Sequence, residues 1–256
     1  TAETETAGAG SAHHMKRRVI SVLIWTAYAL LVLVWLPFLA VVFAFTAPFD
    51  PGRYTVGRWF RRAAVVAVRL NPFWHFRTSG ISITDPRRPY VAVSNHESLA
   101  DIFLISLLPW EMKWLSKEAI FRIPVMGWMM RMAGDIEVRR SDRTSRARAM
   151  DEIRRRLDRG VTVTIMPEGT RSRTEELLPF HDGAFEVAIE TGCPVLPMAV
   201  VGTRDAMATG SLLFGATHAE VRVLEPVETS GMSMEQVPEL RDRVRDLIDR
   251  TRKELR

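Results

Sequence analysis

The longest uncharged stretch of the sequence, residues 19–47, most restricts how this chain can fold. It consists mainly of Leu, Val, Ile, Trp, Phe and Ala, and its length of about 29 residues exceeds the roughly 20 residues that a membrane-spanning helix requires. A signal peptide fits less well, since its apolar region is shorter and is followed by small residues at a cleavage site. The sequence therefore predicts an N-terminal hydrophobic helical segment that anchors the protein to a membrane.

The flanks of this segment leave its topology open. Pro37 lies inside the stretch and would kink a continuous helix. Basic residues occur on both sides, at positions 16–18 and again at 53–62, so the positive-inside rule gives no orientation. A single span and a monotopic or re-entrant anchor both fit the pattern. The next segment, residues 59–74, mixes arginine with apolar residues, which fits either an interfacial helix on anionic lipid or an amphipathic helix packed on the domain.

Short β-like runs alternate with helical patterns beyond residue 72, and this alternation is typical of an α/β domain. Several runs, such as residues 161–165, have the composition of strands that are buried on both faces, as in a mostly parallel sheet. The predicted strands are residues 80–84, 90–94, 113–116, 136–139, 161–166, 195–201 and 219–224. The predicted helices are residues 99–108, 125–133, 144–159, 183–191 and 234–255.

Three segments follow from these patterns. Residues 1–15 are small and polar and are expected to be a disordered tail or a remnant of cloning. Residues 16–75 are expected to form the membrane anchor with its interfacial helix. Residues 76–256 are expected to form the α/β domain, with a mostly parallel central sheet flanked by helices.

Arginine supplies most of the positive charge, and the formal net charge is +5. Its fork suits bidentate binding of phosphate or carboxylate, and a basic chain also suits an anionic membrane surface. The sequence contains no zinc-ligand spacing, basic zipper or aromatic RNA-binding motif, so nucleic acid is not an expected partner. Cys193 is the only cysteine, which excludes an intrachain disulfide and a multi-cysteine metal site.

A histidine and an aspartate lie where the predicted strand 90–94 gives way to a helical pattern. Ser98 is a suitable N-cap for that helix, and Asp101 falls in its first turn. The carboxylate of Asp101 can keep one ring nitrogen of His96 protonated, which leaves the other free as a base toward an acceptor hydroxyl. Taken alone, such a pair more often forms a helix cap and a carboxylate that favours the helix dipole.

The sequence Pro-Glu-Gly-Thr-Arg-Ser at 167–172 directly follows the buried strand 161–166. Gly169 exposes backbone N–H groups, while the Thr170 hydroxyl and the Arg171 fork add further donors, so the segment is a suitable anion cradle. Glu168 would repel a phosphate unless it pairs with an arginine or orients the loop. The alternative is an ordinary turn with a surface ion pair.

Two further segments carry cations at the ends of predicted strands. Lys117 precedes an apolar turn with Pro124 and Gly127, and either reaches into a site or is a solvated loop charge. In residues 134–140, neighbouring side chains of a strand point to opposite sides, so one of Arg139 and Arg140 faces a pocket while the other is exposed.

With these motifs in this order, the chain resembles the glycerolipid acyltransferases, specifically the bacterial 1-acyl-sn-glycerol-3-phosphate acyltransferases. The resemblance covers roughly residues 77–201 and the apolar N-terminal segment. The matching motifs are Asn95-His96 with Asp101, Lys117-Glu118 with Ile123-Pro124 and Gly127, residues 134–140, residues 168–172 and residues 195–200. Glu137 departs from the family pattern, because an aromatic or apolar residue is usual at its position.

The resemblance implies a role for each matching residue. His96 would be the general base and Asp101 would orient it. Three cations would hold the phosphate of the lysophospholipid: Lys117, Arg140 and Arg171. Arg139 is the alternative to Arg140. The loop around that phosphate would be shaped by Glu168, Gly169 and Thr170.

The implied reaction transfers a fatty acyl group from acyl-CoA or acyl carrier protein to the sn-2 hydroxyl of 1-acyl-glycerol-3-phosphate (lysophosphatidic acid). It gives phosphatidic acid for phospholipid biosynthesis and needs no metal or cofactor. The expected partners are the phospholipid bilayer, the lysophospholipid acceptor and the acyl carrier. Two alternatives are an acyltransferase for another lysolipid, such as a lyso-aminolipid, and a membrane-bound thioesterase or lipid hydrolase. Arginine-rich, lysine-poor usage is typical of GC-rich bacteria, so the expected location is the inner (cytoplasmic) membrane, with the active site at its cytosolic face.

Overall fold

The computed structural model describes residues 2–172, 174–207 and 211–256, and Thr1, part of the predicted tail, lies outside them. The helices are α1 (Ala2–Thr46), α2 (Tyr54–Leu70), α3 (Asp101–Ile105), α4 (Glu118–Phe121), α5 (Met126–Ala133), α6 (Arg143–Asp158), α7 (Gly183–Thr191), α8 (Thr203–Ala206) and α9 (Val237–Leu255). The strands are β1 (Trp74–Gly80), β2 (Val91–Ser94), β3 (Met112–Lys117), β4 (Ile136–Val138), β5 (Thr162–Ile165), β6 (Val195–Val201) and β7 (Thr217–Val223).

The strands form one sheet in the order β1-β7-β6-β2-β5-β3-β4. All neighbours run parallel except β6 and β7, which are antiparallel. The predicted α/β fold with a mostly parallel sheet is therefore confirmed. β2 lies in the middle, where Val91 pairs with Val163 of β5 on one side and with Val195 of β6 on the other.

Helices cover both faces of this sheet. On one face, α6, α7 and α9 pack on strands β2 and β5 around Ile153, Phe185 and Val244. On the other face, α3 packs on β3, β6 and β7 around Leu104 and Met112. Because β2 and β5 are covered on both sides, all their residues are buried, as the continuous apolar runs predict.

The predictions around the first strand and the third helix are wrong in detail. Asn71 ends α2 because its side-chain oxygen accepts the N–H of Phe73 at 3.0 Å, and the strand that follows is β1 rather than residues 80–84. Ile81 and Ile83 still pack against the core, which explains the apolar alternation there. The helix predicted at 99–108 is shorter and begins at Asp101.

Helix α1 packs along α2 and the α/β domain instead of projecting from them. Arg17 Nε donates to the Phe214 carbonyl at 2.8 Å, and the Tyr28 hydroxyl donates to the Ala67 carbonyl at 2.9 Å. Further along, Trp35 Nε1 donates to the Trp59 carbonyl at 3.0 Å. α1 continues through Pro37 without a break. The division of the chain into segments 1–15, 16–75 and 76–256 stays a prediction.

A buried cluster of four charged side chains joins α2 to strands β3 and β4. It consists of Arg61, Glu111, Lys113 and Asp135. Arg61 pairs with Asp135, and Lys113 Nζ donates to the carboxylate of Glu111 at 2.7 Å. Burial lowers the pKa of Lys113 and raises the pKa of Glu111, while their ion pair opposes both shifts. α2 approaches this pair at Gly57, where a Cβ would overlap both charged groups.

Candidate active site

All the predicted site residues lie at one edge of the sheet. His96 follows β2, Glu168 follows β5, Arg140 follows β4, and Lys117 ends β3. These four strands are parallel, so their carboxyl ends meet at the same edge, where α/β proteins bind ligands. The topology thus brings together motifs that are about 70 residues apart in the sequence.

The predicted dyad is formed. His96 Nδ1 lies 2.7 Å from Asp101 Oδ2, and the same carboxylate oxygen accepts the backbone N–H groups of Glu97 at 2.8 Å and Ser98 at 3.1 Å. The other oxygen of Asp101 accepts the hydroxyl of Thr203. The Asp101 side chain is completely buried, whereas that of His96 is 18% exposed.

This arrangement fixes the tautomer of the histidine. A carboxylate surrounded by donors accepts a hydrogen bond, so the proton of a neutral His96 ring lies on Nδ1 and Nε2 is left unprotonated. Nε2 can therefore act as a general base toward a hydroxyl at the partly open side of the ring.

Ser98 is not the N-cap that the sequence predicts. The helix begins at Asp101, with Ala100 at the N-cap position and no side-chain cap. Instead, the Asp101 carboxylate folds back on the preceding turn and accepts its N–H groups, while the Ser98 hydroxyl donates to the Met207 carbonyl at 3.0 Å. The turn that carries His96 is thus held by the dyad partner itself.

Glu168 orients the loop and does not face the anion cradle as a bare charge. One carboxylate oxygen accepts the backbone N–H of His96 at 2.7 Å and the other accepts that of Leu178 at 2.9 Å. The Ser172 N–H donates to the His96 carbonyl at 2.9 Å. Burial raises the pKa of the Glu168 carboxyl, and these N–H donors oppose that shift. The loop at 168–172 and the turn that carries His96 therefore form one hydrogen-bonded unit.

A cavity of about 610 Å³ opens beside this loop. Its polar lining includes Arg140, Arg146, Thr170 and His181 together with the carboxylates of Glu168 and Glu186, and the rest of the lining is mainly apolar. Gly169 has a positive φ of 68°, a conformation that glycine adopts without strain. Burial lowers the pKa of the Arg140 guanidinium. Two guanidinium groups and a backbone turn at a cavity mouth are suited to a phosphate.

Arg139 and Arg140 both lie beyond the end of β4 at Val138, and they make different contacts. Arg139 makes a bidentate pair with Glu118, at 2.7 Å and 2.6 Å, on the exposed surface. Arg140 lines the cavity. Lys117 is exposed and Arg171 is half-buried at the same sheet edge, and within the described ranges neither belongs to the lining of this cavity.

Two residues support the site without having been assigned a role from the sequence. The Thr203 hydroxyl donates to Asp101 Oδ1, the oxygen that does not contact His96, from 102 positions away in the chain. No local sequence pattern indicates such a contact. Asn95 joins the ends of β2 and β6, because its amide donates to the Val200 carbonyl at 3.0 Å and accepts the Val200 N–H at 2.8 Å. The sequence feature that could have indicated this role is the position of a polar side chain immediately after a fully buried strand.

The comparisons with known proteins agree with this geometry. The family model described as Acyltransferase matches residues 75–201, which include the dyad, the Glu168 loop and Arg140. One similar relative is the chloroplastic 1-acyl-sn-glycerol-3-phosphate acyltransferase BAT2 of Brassica napus, which is 37% identical over 62% of this chain and 46% of that protein. Another is the human 1-acyl-sn-glycerol-3-phosphate acyltransferase beta, which is 30% identical over 73% of this chain and 69% of that protein. The chain spans about half the length of its plant relatives.

A solved structure is also similar. The 1-acyl-sn-glycerophosphate acyltransferase PlsC of Thermotoga maritima superimposes with a TM-score of 0.75 and 27% identity, covering 93% of this chain and 97% of that one. The fold and the matched segment thus define an acyltransferase domain with a histidine–aspartate turn at its sheet edge. The chain belongs to the glycerolipid acyltransferase family, the group that contains the 1-acyl-sn-glycerol-3-phosphate acyltransferases.

Proposed function

We propose that this protein transfers a fatty acyl group from an acyl thioester to the sn-2 hydroxyl of 1-acyl-glycerol-3-phosphate, giving phosphatidic acid for phospholipid biosynthesis. The observation that carries the proposal is the His96–Asp101 pair, in which Nδ1 lies 2.7 Å from a fully buried carboxylate. It lies at the same sheet edge as the arginine-lined cavity. The relatives named above are acyltransferases of this reaction class.

The dyad supplies the proton transfers of this reaction. His96 Nε2 takes the proton of the sn-2 hydroxyl while that oxygen attacks the thioester carbonyl and forms a tetrahedral intermediate. Collapse of the intermediate breaks the carbon–sulfur bond, and the departing thiolate takes the proton back from Nε2. Asp101 stays ionised throughout and stabilises the imidazolium, as the buried aspartate does in hydrolase triads. No acyl group is attached to the protein.

The cavity beside Gly169 and Thr170 is the proposed phosphate site, with Arg140 as its guanidinium donor. Arg140→Met is expected to raise the KM for lysophosphatidic acid by about tenfold or more, with a smaller change in kcat, because a hydrogen bond to a charged group contributes roughly 1.5–3 kcal/mol. The measurement is a titration of lysophosphatidic acid at saturating long-chain acyl-CoA, with the released thiol followed.

The matched control is Arg139→Met on the opposite side of the same strand end. Arg139 pairs with Glu118 at the surface, so its loss is expected to leave the KM unchanged. An equal rise in both variants would show that the phosphate is not bound in this cavity. Lys117 and Arg171 lie at the same end of the strands but outside the lining of this cavity, and their proposed role as further phosphate ligands rests on the family resemblance alone.

The acyl chains require an apolar site, and one exists between the N-terminal helices and the domain. A cavity of about 350 Å³ lies between α1, α2, α3 and α5, lined by apolar side chains that include Tyr28, Phe103 and Met129. Phe103 belongs to the helix that Asp101 begins. The proposal therefore assigns an acyl chain to this cavity, with its thioester or ester end directed toward His96.

We also propose that the protein is a monotopic membrane protein of the cytoplasmic membrane, with its site at the cytosolic face, where acyl-CoA and acyl carrier protein occur. Residues Met15–Thr46 of α1 are long and apolar enough to cross a bilayer. However, α1 is bonded to the rest of the chain from Arg17 to Trp35, about 27 Å of helix, through Phe214 of the α/β domain at one end and Trp59 of α2 at the other. A perpendicular α1 would carry the domain into hydrocarbon, so the helix lies in the membrane plane with its outer apolar stripe in lipid.

Single cysteines at Leu23, Val34 and Phe45 test this orientation, since all three side chains are exposed and their spacing of 11 residues, about three turns, places them on one side of α1. In a Cys193→Ser background, an environment-sensitive label at each is expected to report the same shallow depth in vesicles of mixed zwitterionic and anionic phospholipid. A label at Lys253 serves as the aqueous control. A label at Val34 that is much deeper than the other two would instead indicate a transmembrane helix.

A further inference from the structure

The C-terminal helix α9 reaches the catalytic turn, although it lies outside the segment that matches the family model. Its buried row continues from Leu240 through Val244 and Ile248 to Arg252, at intervals of four residues. The side chain of Arg252 is only 2% exposed. An arginine at a core position of an amphipathic helix is costly unless its charge is paired.

The guanidinium of Arg252 binds two different segments of the active site. One nitrogen, Nη2, donates to Glu97 Oε1 at 2.8 Å and to the Glu175 carbonyl at 2.9 Å. Glu97 directly follows His96, its side chain is 3% exposed, and its backbone N–H donates to Asp101. The Arg252–Glu97 pair is therefore connected to the His96–Asp101 pair by a single hydrogen bond, from the Glu97 N–H to the Asp101 carboxylate.

Glu175 lies in the loop that follows Arg171. The Ser172 N–H in this loop donates to the His96 carbonyl, and the Leu178 N–H at its far end donates to Glu168. Arg256, one turn beyond Arg252, pairs with the Glu175 carboxylate at 2.9 Å. The last turn of α9 thus touches both the turn that carries His96 and the loop that carries Arg171.

We propose that Arg252 is a positioning residue, whose guanidinium holds the His96 turn through Glu97 and the loop after Arg171 through the Glu175 carbonyl. This inference rests on the proposed function, because it concerns the placement of the base relative to the phosphate loop. A buried ion pair adds little net stability compared with apolar packing, so its value here is the geometry that it fixes. The charge of Arg252 also acts on Glu168, where it opposes the rise in pKa caused by burial.

The test separates positioning from stability by means of a double variant. Arg252→Met removes the nearer cation of the buried Glu97 carboxylate, leaving only Arg256 at 3.5 Å, and is expected to lower both the melting temperature and kcat, the latter at least tenfold. Arg252→Met combined with Glu97→Gln removes the stranded charge. It is expected to regain most of the melting temperature, while kcat stays low because the turn is no longer held. Arg252→Lys keeps the charge and is expected to be intermediate in kcat.

Hydrogen exchange provides a readout that does not depend on activity. Exchange of segments 96–101 and 172–178 is expected to be faster in Arg252→Met and in the double variant than in wild type. Lys253→Met, on the next position of the same helix and exposed, is the control and is expected to match wild type. A double variant that recovers kcat together with its melting temperature would overturn the inference, as would wild-type exchange in both segments. Wild-type protein that transfers no acyl group would refute the proposed function instead, and the exchange rates would still decide the role of Arg252.

Discussion

Replacement of His96 by alanine is expected to lower kcat for acyl transfer to lysophosphatidic acid by about 10²–10⁴-fold, the range typical of general acid–base catalysis. The ring is held by Asp101 at 2.7 Å and is partly open to solvent, so its removal takes away the base without opening a large cavity. Transfer is measured from a long-chain acyl-CoA in detergent micelles, as thiol release that depends on lysophosphatidic acid.

The dyad account also predicts the behaviour of Asp101→Asn. An amide at this position can donate to Nδ1, which moves the ring proton to Nε2 and blocks the base, so a loss of similar size is expected. His75→Ala, at an exposed position of strand β1, is the control and keeps its activity. A His96→Ala protein that folds and retains most of its kcat would show that His96 only supports the turn.

Replacement of Lys113 by methionine is expected to have the largest effect on stability, a loss of about 3–5 kcal/mol, as for other buried ion pairs that lose one partner. Lys113 Nζ donates to Glu111, to the Arg53 carbonyl and to the Ala133 carbonyl, each at 2.7 Å. Methionine satisfies none of these acceptors and leaves the Glu111 carboxylate buried without its cation. For a chain of this size the melting temperature should fall by roughly 10 °C.

Thermal unfolding in one detergent at one scan rate measures this effect, because irreversible unfolding makes the apparent midpoint depend on the scan rate. Lys117→Met, at the exposed end of the same strand, should melt as wild type does. Lys113→Met combined with Glu111→Gln leaves no net charge and should recover part of the loss. A Lys113→Met protein with the wild-type melting temperature would contradict this account and would mean that Lys113 and Glu111 do not form an ion pair in the folded state.

The central strands and the catalytic turn could be predicted because their signals are local. The apolar runs at β2, β5 and β6 allow only strands buried on both faces, and the spacing of His96 and Asp101 places them within one turn. Arg139 and Arg140 show the limit of this reasoning. Both follow β4, which ends at Val138, so which one lines the cavity depends on the turn after the strand, and the sequence does not specify the shape of that turn.

The remaining features depend on contacts between distant segments. Strand β1 occupies residues 74–80 because it pairs along its length with β7, more than 140 positions later. Thr203 and Arg252 reach Asp101 and Glu97 from 102 and 155 positions away. The role of Glu168 could be predicted in part. Its carboxylate would repel a bound phosphate, so the sequence already requires that it pairs with a cation or orients the loop. The structure shows the second, through the N–H groups of His96 and Leu178.

The most direct test of the proposed reaction is the identity of the product formed by the wild-type chain. The protein is incubated with a long-chain acyl thioester, as acyl-CoA and in parallel as acyl carrier protein, with and without lysophosphatidic acid, and the lipids are analysed by mass spectrometry. The account predicts phosphatidic acid with the new acyl group at sn-2, one molecule for each thiol released, and no thiol release without lysophosphatidic acid. Free fatty acid released in the absence of lysophosphatidic acid, in proportion to the thiol, would contradict the account and identify a hydrolase.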